Sequence, residues 1–299
     1  MHHRTLLWQP VLFCVFLVVA EYGWGYERFF PSAKSPLWLR WLVDWLYVLV
    51  VWGGSLLLVR RSFTSKPSRR DWLLFLIGAG IFAFRSVFQG HFDWLQANGT
   101  AWSRPDFYAA WYTIGQVVQM ALVVPPLLLL HWWLKSKGEA GFAGLKSTPV
   151  GGYLWLLLGA LPLVAFAASQ PSFANYYPLF ARIFPPDYVA FQDGNDIGRV
   201  AIFELFYGLD FFSTEMFFRG FLVLAFVRWL GPAAILPMAV FYVSIHFGKP
   251  LGETLSSFFG GYLLGIFAYY SRSIWGGVLV HIGLAWLMEL AGGVVRFWF

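Results

Sequence analysis

Long apolar runs divide this chain, each close to the length a helix needs to cross a bilayer. They lie at about 6–25, 41–59, 72–89, 108–133, 150–169, 199–228, 233–248, 252–270 and 274–294, and roughly 20 apolar residues span the hydrocarbon core. Inside lipid the backbone has no water to bond with, so such runs fold as helices whose N–H and C=O groups pair internally. They specify an all-α polytopic integral membrane protein of eight or nine transmembrane helices. Charged residues make up only 12% of the chain, against about a quarter in a soluble domain, and that excludes a soluble fold. The 17 tryptophans and 21% aromatic content suit the belts at the two membrane interfaces.

Charge placement sets the orientation. Arg60, Arg61, Lys66, Arg69 and Arg70 form one basic loop, and Lys135, Lys137 and Lys146 a second. Both fall on one side if the N-terminus is cytoplasmic, as the positive-inside rule asks. Asp93, Asp106, Asp187, Asp193 and Asp196 then gather on the other side. A net charge of +6 held in short loops is therefore a topology signal and not a nucleic-acid footprint; membrane lipids are the expected surroundings. Cys14, the single cysteine, allows no internal disulfide. His2, His3 and Arg4 precede the first apolar run, a start that a signal peptide would share but that reads as an uncleaved first transmembrane helix because spans of the same kind follow.

The interval Gln170 to Gly198, with Pro185-Pro186 and Asp193-Gly194, reads as a loop and a candidate lid. The chain divides near it into transmembrane helices of unassigned role (1–150) and a C-terminal core (151–299). No internal repeat suggests a transporter's inverted halves. Ser257, Gly261 and Gly265 recur every four residues, a spacing that lets helices approach closely in lipid.

Ionisable residues stand inside three of the last apolar runs. A charged side chain at mid-membrane costs roughly 2.5–3.5 kcal/mol on insertion scales, so it marks a function by default. Glu215 and Arg219 are four apart and share one helix face. A carboxylate held by a guanidinium in a dry site is a candidate general base, although such a pair can equally do no more than tie helices together. His246 lies four residues beyond Tyr242, and His281 follows in the last run. Asp210 sits one turn before Thr214. Glu204 lies three turns before Glu215, and Glu289 two turns beyond His281, where a carboxylate could orient the imidazole. Glu253 opens a helix and is a second candidate base or substrate contact, although a carboxylate there can equally complement the dipole without further duty. His91, His131, Arg85 and Asp44 read as interfacial.

These residues also carry a resemblance. Thr214-Glu215-Met216-Phe217-Phe218-Arg219-Gly220 resembles the first motif of the CPBP family (the CAAX protease and bacteriocin-processing, or Abi, intramembrane proteases), E-E-x-x-x-R followed by Gly. Tyr242 to His246 resembles the second, F-x-x-x-H, and His281 to Ala285 the third, H-x-x-x-N or D. Thr214 stands where the first Glu is usual, and Ala285 where Asn or Asp is. The resemblance covers roughly 199–295 and implies an endopeptidase of the glutamic type. It would cut membrane-associated proteins or peptides within a bacterial inner membrane. Glu215 would be the base, His246 would share the attacking water, His281 would stabilise the oxyanion, and Arg219 would fix Glu215. Glu253, Thr214, Tyr242, Asp210 and Glu289 would support them. The resemblance implies no cofactor; Zn2+ on Glu215, His246 and His281 is the metal-dependent variant. Two other readings stay open: a catalytically inactive scaffold or chaperone of the same fold, and a proton-coupled transporter using its intramembrane charges.

Overall fold

The computed structural model describes residues 8–136, 138, 142–184 and 194–298, and their regular elements are helices. Helix α1 (Trp8–Trp24) is followed by α2 (Leu37–Leu58), which is π-helical over Leu49–Gly53. Then come α3 (Arg69–Val87), α4 (Gly90–Asn98), α5 (Arg104–Ser136) and α6 (Leu154–Ala168). Two short helices, α7 (Pro171–Ala174) and α8 (Phe180–Ile183), precede α9 (Gly194–Glu215). The chain closes with α10 (Val227–Leu230), α11 (Ile235–Ser244), α12 (Leu251–Ser271) and α13 (Trp275–Trp298).

Among the described residues six helices are long and apolar enough to cross a membrane: Leu37–Leu58, Arg69–Asn98, Asp106–Ser136, Gly151–Ala168, Val227–Ser244 and Trp275–Arg296. The sequence windows number nine because three helices fall short on length or polarity. Helix α1 has only 17 residues. Helix α9 has 22 but carries Arg199, Glu204, Asp210 and Glu215. Glu253, Thr254 and several serines, glycines and tyrosines dilute α12. The interval read as a lid contains α7 and α8, while its Pro185-Pro186 and Asp193 lie outside the described residues. So do Lys137 of the second basic loop and His2, His3 and Arg4.

The chain forms two compact units. One comprises Met1–Phe88, Leu122–Thr148 and Glu215–Trp275; the other comprises Gln89–Ala121, Pro149–Thr214 and Gly276–Phe299. In the first, α11 is buried at every position, as a helix apolar all round must be. It packs against α12, α1 and the π-helical part of α2. The small-residue stripe of α12 makes this possible. A Cβ on Gly261 would lie 2.8 Å from Cδ1 of Tyr242, and one on Gly265 2.6 Å from Cε of Met238. Aromatic rings fill the rest. Trp52 is fully buried, 4.5 Å from Phe75 and 5.3 Å from Phe226 between ring centroids, and such pairs contribute about 0.5–1.5 kcal/mol beyond area burial.

In the second unit Phe203 stacks on Tyr112 at 4.1 Å and joins Phe180 and Phe184 in an apolar cluster. Helix α13 lies close on α9 at Gly208, where a Cβ would meet the Trp286 ring at 3.1 Å. Trp286 Nε1 donates to the Glu204 carbonyl at 3.1 Å. The exposed Arg199–Asp106 ion pair, at 3.0 Å, adds little, because solvent screens it.

The turn after α1 belongs to the first unit. The Tyr26 and Tyr47 hydroxyls lie 2.6 Å apart, and the Glu27 amide donates to a Glu21 carboxylate oxygen at 3.2 Å. Burial first, then the charges of Glu21 and Asp44, push the Glu27 carboxyl up to about 7. Between the ordinary value of 4.5 and about 7, the folded chain keeps a proton that the unfolded chain has released. The stability this contributes is full below the ordinary value and is lost as pH rises through about 7. Thermal melts of the detergent-solubilised chain should therefore show the melting temperature falling between about pH 5 and about pH 7.5. Glu27→Gln should flatten that fall; an equal slope in wild type and variant would contradict the assignment.

Candidate functional site

The site begins where α9 stops being α-helical. From Met216 to Phe221 the backbone is π-helical. Leu222 N–H donates to Phe217 O at 2.9 Å and Leu224 N–H to Arg219 O at 3.1 Å, each five residues back. Single π turns of this kind often accompany functional sites because they re-aim side chains. Gly220 is required here. A Cβ at that position would lie 2.7 Å from the carbonyl oxygen of Ala143, a backbone atom that cannot swing aside. The bend at Ala143 is fixed in turn by Ile274 N–H donating to Gly144 O at 2.9 Å.

Within this turn Arg219 Nη1 meets Glu215 Oε1 at 2.9 Å, and both side chains are wholly buried. The guanidinium also lies over the Tyr242 ring, 4.5 Å from its centroid. A cation on a desolvated aromatic face gains about 2 kcal/mol or more, which offsets part of the cost of burying the charge. Phe217 and Phe218 flank the pair, in ring contact with Phe82 and Phe241. Tyr242 reaches its place because Gly261 leaves room for its ring.

Tyr242 links the pair to the first histidine. The carbonyl of Tyr242 lies 2.9 Å from His246 Nδ1, and the two rings are 4.6 Å apart. A carbonyl only accepts, so the geometry assigns the ring proton of neutral His246 to Nδ1 and leaves Nε2 as the acceptor. The turn beyond is held by Thr254, whose hydroxyl donates to the His246 carbonyl at 2.8 Å. Glu253 forms an ion pair with Lys249 at 2.6 Å. Glu215, Arg219, Tyr242 and His246 thus form one continuous line of contacts.

The remaining sequence candidates lie in the second unit. His281, on α13, is half-buried and stacks on Phe211 with centroids 4.6 Å apart and planes at 21°. The hydroxyl of Ser213 lies 2.8 Å from both Oδ1 and the carbonyl oxygen of Asp210. Thr214 is half-buried and Ala285 is buried. Both carboxylate oxygens of Glu289 lie 2.8 Å from the amide of Leu179, so Glu289 fastens the start of α8 to α13. Sequence reasoning missed Phe211 and Thr254; nothing in local spacing marks a ring that stacks on an imidazole from another helix. Among the described residues no three His, Cys, Asp or Glu side chains are grouped so as to hold a metal ion.

Residues 198–287 match the model of the family described as type II CAAX prenyl endopeptidase Rce1-like. All three motifs, Thr214 to Gly220, Tyr242 to His246 and His281 to Ala285, fall within that match, which bears out the resemblance seen in the sequence. No curated protein and no solved structure gave a match.

Removing one partner of a buried pair strands the other charge, which typically costs about 3–5 kcal/mol. Arg219→Ala and Glu215→Ala should each lower the melting temperature strongly. The double substitution should cost well under the sum of the two, as a double-mutant cycle on thermal or denaturant unfolding would read.

Proposed function

We propose that this chain is an intramembrane endopeptidase that hydrolyses peptide bonds of membrane-associated proteins, CAAX-type prenylated chains among them. The observation that carries the reading is the buried Glu215–Arg219 pair, connected through Tyr242 to the His246 imidazole. The Rce1-like match over the same residues supports it, as does the membrane character of the helices.

In this reading Glu215 is the general base and His246 Nε2 shares the attacking water. Their combined pull on a proton lets water attack a peptide carbonyl; a positioned base of this sort contributes about 10²–10⁴-fold. His281 donates to the oxygen on which negative charge develops, in a dry site where such a donor is worth most. Arg219 holds Glu215 in one rotamer. Tyr242 presents its ring to Arg219 and its carbonyl to His246. Asp210, Thr214, Glu253 and Glu289 support the site at one remove. Function resides in residues 151–299. Helices α1, α9 and α12 count as further spans, giving the eight or nine crossings of a bacterial inner-membrane protein with its N-terminus in the cytoplasm.

A second reading has an observation of its own. Thr214 and Ala285 replace two residues usual in the family's motifs, which favours an inactive relative that keeps the fold as a scaffold. Cleavage of a farnesylated CAAX peptide by the purified chain in proteoliposomes separates the two. Glu215→Gln, His246→Ala and His281→Ala should each lower kcat at least about 100-fold. Turnover that survives all three substitutions, or is absent from the wild type, would overturn the protease reading.

A further inference from the structure

Helix α1 lies outside the matched region, yet its C-terminal end reaches the turn that carries His246. That turn leaves α11 at Ser244 and runs to Pro250. Gly248 takes a φ of +79° within it, a conformation that L side chains rarely adopt. Past the end of a helix, backbone carbonyls need donors from elsewhere, and two of them find hydroxyls. The Tyr22 hydroxyl donates to the Lys249 carbonyl at 2.5 Å and lies 2.6 Å from the Thr254 hydroxyl. Thr254 in turn donates to the His246 carbonyl. Three contacts share two protons. Whenever Thr254 donates to His246, its oxygen can accept only from Tyr22, so Tyr22 orients Thr254 or bonds Lys249 directly. Rings add a second hold. Phe247 sits edge-on between Tyr22 and Tyr26, at 6.4 and 6.1 Å.

We propose that Tyr22 is a positioning residue for His246, and that α1 acts as the brace of the His246–Pro250 turn from outside the protease-like region. The catalytic part of this inference rests on the protease reading; the bracing does not. The brace keeps the His246 backbone in register with Tyr242, so that Nδ1 stays on the Tyr242 carbonyl. Without it, the glycine-containing turn is free to rotate the ring off that carbonyl.

The test uses the full chain in detergent micelles and diethyl pyrocarbonate, with each histidine read separately by peptide mass spectrometry. Tyr22→Phe, which keeps the ring and removes only the hydroxyl, should raise the carbethoxylation rate of His246 at least about threefold. Thr254→Val should do the same, and Thr254→Ser should restore the wild-type rate. His91 and His131 should react as in the wild type. A His246 rate within twofold of wild type in both Tyr22→Phe and Thr254→Val overturns the proposal. So does a rise shared by His91 and His131, which would report general loosening. On the farnesylated peptide, Tyr22→Phe should lower kcat several-fold with KM unchanged. If the wild type cleaves nothing, the protease reading fails and the carbethoxylation rates alone decide the brace.

Discussion

A carboxylate and a guanidinium, both without solvent exposure and 2.9 Å apart, set the terms for the first unit. A pair of this kind is stable only if each charge keeps its partner and the remaining groups find favourable neighbours. Much of the surrounding structure answers that demand. The π turn aims Arg219 back toward Glu215, the Tyr242 face receives the guanidinium, and phenylalanines exclude water. The glycines at 220 and 261 matter for the same reason: they let the Ala143 backbone and the Tyr242 ring come close to the pair's surroundings.

Burial of this kind favours chemistry as well as cohesion. In a dry chamber a fixed dipole or charge acts without the screening water would impose, and it need not reorganise during reaction. His246 differs from Glu215 in being only half-buried, on a turn and not within a helix. The pair is wholly buried within the helix and its π turn, while the imidazole four residues beyond Tyr242 is partly exposed. His281 gains its order differently, through a ring stacked on Phe211.

The membrane class and the three motifs were legible because they depend on short-range pattern: apolar length, four-residue spacing and charged residues where charge is expensive. The Ser257, Gly261 and Gly265 stripe was legible too, and it packs on α11. Span number was less so. Hydropathy windows count a polar-faced helix such as α9 alongside the six long apolar ones, and α1 is short. The π turn left no trace, since it changes the hydrogen-bond register without changing composition. Tyr22 could not have been found, because it lies 227 positions from the carbonyl it bonds and its residue type is common at interfaces. Glu289, placed on the His281 face by spacing, also accepts from the amide of Leu179, a contact 110 positions away that spacing could not show.

The central claim is that Glu215, His246 and His281 work on one substrate carbonyl. An experimental structure of the chain with a farnesylated peptide analogue bound would test it most directly. The account predicts the scissile carbonyl oxygen within hydrogen-bonding reach of His281, with a water between the carbonyl carbon, Glu215 and His246 Nε2. A peptide seated elsewhere, or the two imidazoles opening into separate cavities, would contradict it.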